Sequence, residues 1–234
     1  MKLIGLIGGM SWQSTIPYYR LINEFVEERL GGLHSARMLL YSVDFHDIEH
    51  LQRVGDWQTA GQLLAATARS LENAGADCLV LCTNTMHRVS PAIEAAVRIP
   101  LLHIVDPTAQ VIKSAGFSAV GLLGTRFTME DDFYRDRLTA RHGLTVLTPS
   151  AVDRDLIHRI IYDELCRGKV LPASREVFRK VMRSLSAQGA QAIILGCTEI
   201  CLLVTQTDSA VPLFDTTSIH ALHAAAWALQ NDPP

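Results

Sequence analysis

No apolar run in this 234-residue chain approaches the roughly 18 residues that a membrane span requires, and residues 3–7, the apolar stretch near the start, are too short for the core of a signal peptide. A basic excess is missing too. Against 24 Asp and Glu there are 21 Lys and Arg, a formal net charge of -3, so no row of phosphates could be neutralised and nucleic acid is not an expected partner. The five cysteines, Cys78, Cys82, Cys166, Cys197 and Cys201, are odd in number and contain no C-x-x-C pair. That spacing argues against both a disulfide framework and a zinc ribbon. His220 and His223 are three residues apart but no further ligands accompany them, and no metal is expected. What remains, with 48% hydrophobic and 19% charged residues, is a cytoplasmic globular protein with apolar side chains enough for the cores of two small domains.

The chain repeats itself. Gly5-Leu6-Ile7-Gly8-Gly9 returns as Gly121-Leu122-Leu123-Gly124-Thr125, Gly75-Ala76-Asp77 as Gly189-Ala190-Gln191, Leu79-Val80-Leu81 as Ile193-Ile194-Leu195, and Ile99-Pro100-Leu101-Leu102 as Val211-Pro212-Leu213-Phe214. Four matches in one order indicate two copies of a single unit. In each copy short apolar runs bounded by Gly or Pro alternate with longer stretches of helical spacing, the signature of βα units on a parallel sheet. Strands are expected at 2–7, 37–43, 78–82, 100–104, 118–123, 144–148, 192–196 and 212–214. Helical spacing covers 15–30, 57–74, 153–166, 175–188 and 218–230, with 231–234 frayed. The predicted fold class is α/β, two pseudo-symmetric domains with about four parallel strands each: residues 1–98 plus 216–234, and residues 99–215. Ligands of such sheets sit beyond the carboxyl ends of the strands, so the expected active site is an interdomain cleft fed by the loops 8–12, 42–53, 82–87, 124–128 and 196–199.

The glycine turn Gly5-x-x-Gly8-Gly9 brings backbone amides to the start of a helix, where an anion can be held. It lacks the G-x-G-x-x-G spacing, and although Asp44 could supply the acid of a dinucleotide site, a turn present in both halves fits a doubled fold better than one cofactor. The more informative pair is Leu81-Cys82-Thr83-Asn84-Thr85 and Leu195-Gly196-Cys197-Thr198-Glu199. The repeat lays Thr83 over Cys197, each just past an apolar strand. A thiol at a helix start is expected to have its pKa lowered by the helix dipole, the position of a nucleophile or base. Cys82, one residue earlier on an extended segment, should point to the other side.

The order of a glycine-rich first turn, Thr83-Asn84-Thr85-Met86-His87, Gly196-Cys197-Thr198-Glu199 and two Ile/Val-Pro strands resembles the aspartate/glutamate/hydantoin racemase superfamily over essentially the whole chain. With Glu199 after Cys-Thr and His87 after Asn-Thr-x, it is more similar to the aspartate racemase branch. The resemblance implies a homodimer, no cofactor, and two thiols flanking the α-carbon of an amino acid. Here the first of the two positions is Thr83, a far poorer acid and base than a thiol. Cys197 and Thr83 are therefore the candidate catalytic residues. Asn84, Thr85, Thr198 and the backbone amides of the Gly8-Gly9 and Thr198-Glu199 turns are suited to hold the α-carboxylate, and Gly9, Met10 and Thr125 complete the candidate substrate-binding set. Gln52 and Arg53 are first choice for a distal carboxylate, since arginine binds one bidentately, with Arg126 and Lys169 behind them. Glu199 by its charge would raise the neighbouring thiol pKa, so it either points away or manages the proton. The expected function is racemisation of aspartate, glutamate or a similar amino acid. Alternatives are a single-cysteine decarboxylase or isomerase of a related acid, and a non-catalytic amino-acid-binding protein.

Overall fold

The computed structural model describes residues 1–230, so the expected fraying of 231–234 lies outside them. The chain divides into two compact units, residues 1–103 with the chain from His220 onward, and residues 104–219. In the first unit come β1 (Ile4–Gly8), α1 (Trp12–Leu30), β2 (Met38–Ser42), α2 (Phe45–Val54), α3 (Trp57–Asn73), β3 (Cys78–Leu81), α4 (Ser90–Glu94) and β4 (Leu101–Leu102). The second runs α5 (Val105–Ser114), β5 (Ala119–Gly124), α6 (Arg126–Glu130), α7 (Asp132–Asp136), β6 (Thr145–Leu147), α8 (Ala151–Asp163), α9 (Pro172–Ala187), β7 (Ala192–Gly196), α10 (Ile200–Leu203) and β8 (Leu213–Asp215). The final helix, α11 (Thr216–Leu229), begins in the second unit and returns the chain to the first.

Each unit holds one four-stranded parallel sheet, β2-β1-β3-β4 in the first and β6-β5-β7-β8 in the second. The order is the same because the sequence repeats. Register matches too: Ile7 lies beside Leu81, and its repeat counterpart Leu123 beside Leu195. Both faces of each sheet are covered, as a parallel sheet requires. On β3, Leu79 and Leu81 join Ile7, Ile48, Leu64 and Met86 on one side. Cys78, Val80 and Cys82 face the other, with Tyr18 and Ile22 of α1 and Ala221, Ala224 and Ala225 of α11. The second sheet packs Leu123, Ile193 and Leu195 with Ile157 and Phe178 on one side, and Val120, Leu122 and Ile194 with Tyr134 and Phe214 on the other. Among the described residues no helix is long and apolar enough to cross a membrane.

Two expectations need correcting. The stretch 42–53 is not a loop: Asp44 accepts the amide of His46 at 2.9 Å and starts α2, whose core contacts are spaced at Phe45, Ile48 and Leu51, too short a pattern to declare itself. The unit boundaries also move, from 98/99 and 215/216 to 103/104 and 219/220. β4 pairs with β3, Leu101 beside Leu79, which ties residues past 99 to the first sheet. The first turn of α11 stays with the second, where Thr216 Oγ1 donates to the Leu195 carbonyl at 2.8 Å.

Candidate active site

In the second unit β7 delivers the chain to Gly196 and then to Cys197, with no room for a side chain at the crossing. A Cβ on Gly124 would stand 2.7 Å from the Gly196 carbonyl oxygen, so the two strand ends approach as closely as bare backbone allows. Cys197 is only 7% exposed. Its thiol donates to Glu199 Oε2 at 3.0 Å, and the Thr198 hydroxyl donates to the same oxygen at 2.7 Å. Glu199 does not point away; it is buried and is the proton acceptor next to the thiol.

This arrangement overturns the expected lowering of the Cys197 pKa. Burial comes first, the Glu199 carboxylate second, and together they push the thiol well above its ordinary value. What survives of the helix-start effect is the Glu199 backbone amide, hydrogen-bonded to the sulfur and pulling the other way. It loses because α10 is only four residues long and carries little dipole. A thiol with a raised pKa is a stronger base once ionised, and the adjacent carboxylate is the group that can take its proton.

Thr125, at the end of β5, caps α6: its Oγ1 accepts from the Thr128 amide at 3.3 Å. Arg126 points to Asp155 at 3.3 Å on an exposed surface, and Lys169 is exposed.

In the first unit, β3 ends at Leu81 and the chain tightens, the Thr83 amide donating to the Leu81 carbonyl at 2.8 Å. Cys82 lies wholly inside the core between sheet, α1 and α11, where burial drives its pKa up. Thr83, Asn84 and Thr85 follow as a buried polar run. His87 holds that run from below, Nδ1 donating to the Thr83 carbonyl at 2.8 Å, its ring 4.3 Å from that of His103. A third imidazole, His220 of α11, lies 6.0 Å from His87. Its tautomer follows from its partners. The Leu102 carbonyl 2.7 Å away can only accept, so Nε2 carries the hydrogen and Nδ1 accepts from the Tyr18 hydroxyl at 3.0 Å. Burial lowers the His220 pKa to about 4, which keeps the ring neutral.

Gly9 has a left-handed φ of 91°, and a Cβ there would meet the Val43 carbonyl oxygen at 2.3 Å. Its amide does not face an open anion site: it donates to Thr15 Oγ1 at 2.9 Å, and that hydroxyl donates on to the Ser11 carbonyl at 3.0 Å. The Met10 side chain packs in the core with Ile7 and Met86, which leaves only its backbone for contact. Gln52 and Arg53 part company on α2. Gln52 is buried and donates to Met86 Sδ at 2.9 Å, while the Arg53 side chain is 63% exposed, 3.5 Å from Glu49 and 3.0 Å from His50. Asp44, considered above as the acid of a dinucleotide site, is a helix cap. Among the described residues no group of three or more His, Cys, Asp or Glu is arranged to hold a metal ion.

Sequence reasoning had no signal for His103 beneath the Thr83 run or for the partnership of Tyr18 with His220, because both join residues far apart in the chain. The Asp/Glu/hydantoin racemase family matches residues 7–224, and the chain belongs to that family. It is similar to the crystal structure of a Yersinia pestis protein described as a candidate Asp/Glu racemase, with a TM-score of 0.92 and 61% identity over 98% of this chain and 100% of that one. An aspartate racemase homologue from Pyrococcus horikoshii OT3 is 33% identical, with a TM-score of 0.83 over 97% of this chain and 99% of that one. The broad specificity amino-acid racemase RacX of Bacillus subtilis (strain 168) is 22% identical over 227 residues, 92% of this chain and 93% of its own.

Proposed function

We propose that this chain is a cofactor-independent amino-acid racemase, acting on aspartate, glutamate or a similar amino acid as a homodimer. The observation that carries the reading is the Cys197 thiol donating to Glu199 Oε2 at 3.0 Å at the end of β7. Transfer of the thiol proton to the carboxylate leaves a thiolate, and the thiolate takes the α-proton from one face of the substrate. The electron pair left on the α-carbon is drawn into the α-carboxylate, whose developing charge calls for donors already in place. Thr85, Asn84 and Thr198 are suited to that role. Thr83, or a water it orients, returns a proton on the opposite face. At the distal end, Gln52 and Arg53 are assigned to a side-chain carboxylate, with Arg53 exchanging Glu49 for the substrate.

A second reading has its own support: Cys82 is sealed in the core, so Cys197 is the thiol left at a strand end, and a decarboxylase or isomerase of a related acid needs no more. Incubation in deuterated water followed by NMR tests both. Racemase chemistry is expected to place deuterium on the α-carbon of aspartate or glutamate, with appearance of the other enantiomer. Carbon dioxide release from a malonate-type acid without such exchange would move the assignment to the second reading.

A further inference from the structure

Thr83 is pinned from two sides. Its amide donates to the Leu81 carbonyl at 2.8 Å, and its own carbonyl accepts from His87 Nδ1 at 2.8 Å. Each peptide unit is planar, so these two bonds fix the two planes that meet at the Thr83 Cα, and with them the direction in which its side chain leaves the backbone. The first bond comes from the strand end itself. The second depends on a side chain four residues on, in the 3-10 turn Thr85–Val89. His87 is 1% exposed, and its ring lies 4.3 Å from that of His103, just past β4, and 6.0 Å from that of His220 on α11. The repeat supplies a comparison. At Cys197, the counterpart of Thr83, the carbonyl accepts the Ile200 backbone amide at 3.1 Å, so the second unit does with its main chain what the first does with an imidazole.

We propose that His87 is a positioning residue for the reaction: its Nδ1–H holds the Thr83 carbonyl, so that the Thr83 side chain keeps the direction from which it, or a water it orients, returns a proton to the substrate. The proposal rests on the reading of Thr83 as the group that serves the face opposite Cys197. Packing alone would also account for a buried imidazole, and the two explanations rank substitutions in opposite order. Asparagine carries its amide nitrogen on Cγ, as histidine carries Nδ1, and can donate the bond without the ring. Phenylalanine keeps a ring against His103 and has no donor.

The test follows wild type, His87→Asn, His87→Phe and His87→Ala in deuterated water, starting from the enantiomer whose α-proton Cys197 takes. NMR and chiral chromatography give two initial rates: deuterium placed on the α-carbon with retention, from the Cys197 face, and with inversion, from the Thr83 face. The ratio of inversion to retention is expected to fall about tenfold in His87→Phe and His87→Ala, the order of one hydrogen bond to a backbone carbonyl, while the rate of retention changes little. His87→Asn is expected to recover most of the ratio. A folded His87→Phe with the wild-type ratio overturns the proposal, and so do equal losses of both rates. A folded His87→Asn with a ratio as low as that of His87→Ala overturns it as well, which decides the matter if the phenylalanine variant does not fold. In the wild type, the 15N shifts of the His87 ring, assigned through His87→Asn, are expected to show a hydrogen on Nδ1; a bare Nδ1 overturns the proposal without any turnover. Wild-type protein that exchanges no substrate defeats the racemase reading on which the proposal rests, a result told apart from the others because it appears before any substitution.

Discussion

At the scale of single residues, Cys82 and Cys197 differ by the face of the strand end on which each falls. Cys82 continues the parity of Cys78 and Val80 into the core, whereas Cys197 meets a carboxylate. Cys197→Ser is therefore expected to cut α-proton exchange from either enantiomer by at least about 10²-fold, the usual weight of a lost acid/base, with circular dichroism unchanged. Cys82→Ala should keep its activity and lose about 1 kcal/mol of stability; an inactive but folded Cys82→Ala would reverse the assignment of the two thiols. Arg53 makes a more exposed prediction. If it leaves Glu49 to bind a distal carboxylate, Arg53→Ala should lower kcat/KM for dicarboxylic substrates much more than for neutral ones. Equal losses for glutamate and homoserine would remove it from that role.

At the scale of elements, the strand ends are held by close backbone approach and by buried polar pairs. Gly124→Ala places a Cβ against the Gly196 carbonyl oxygen at 2.7 Å, a contact with backbone that can only be relieved by parting β5 from β7. Gly121→Ala meets its tightest neighbours at the side-chain ends of Ile193 and Leu185, which can turn away. The first substitution should cost more stability and depress exchange, since the displaced strand end carries Cys197; chemical denaturation and turnover of the two variants check the ranking. His220 gives α11 a pH dependence. Its pKa falls from 6.5 to about 4 on folding, so the unfolded chain binds a proton that the folded one does not as pH drops below about 6.5. Stability from this group is whole above that pH and is lost toward pH 4, about 3 kcal/mol in all. His220→Gln should start less stable at pH 7.5 and lose less between pH 6.5 and 4. Denaturation midpoints that fall in parallel for both proteins would remove His220 as the source.

At the scale of the molecule, two copies of one unit have diverged at equivalent positions. The second places a thiol beside a carboxylate; the first places Thr83 over His87, which bonds its carbonyl. Under the proposed mechanism this asymmetry should appear as chemistry. If Cys197 serves the L-enantiomer, exchange starting from the L-substrate should be efficient and exchange from the D-substrate weak, because a hydroxyl is a poor base. The difference must lie in kcat and KM, as no enzyme alters the final L:D ratio. Thr83→Cys should raise turnover of the D-isomer. Equal kinetic parameters for the two enantiomers in the wild type would falsify the assignment of Thr83.

The sequence alone determined the eight strands, their grouping into two repeats and the family motifs, because each is written in contiguous residues: short apolar runs, three of them, β1, β5 and β7, ended by a glycine. It missed α2, whose three core positions are too few to show a period against the preceding strand. Only the tertiary structure decided the electrostatics of the candidate site. A helix-start argument predicted a lowered thiol pKa, and burial with an adjacent carboxylate reversed it. The Gly9 amide looked open to an anion until Thr15, six residues on, closed it. His220 reaches Leu102 from the far end of the chain. Desolvation and hydrogen-bond partners depend on which distant side chains pack together, and nothing in a local stretch of sequence carries that information.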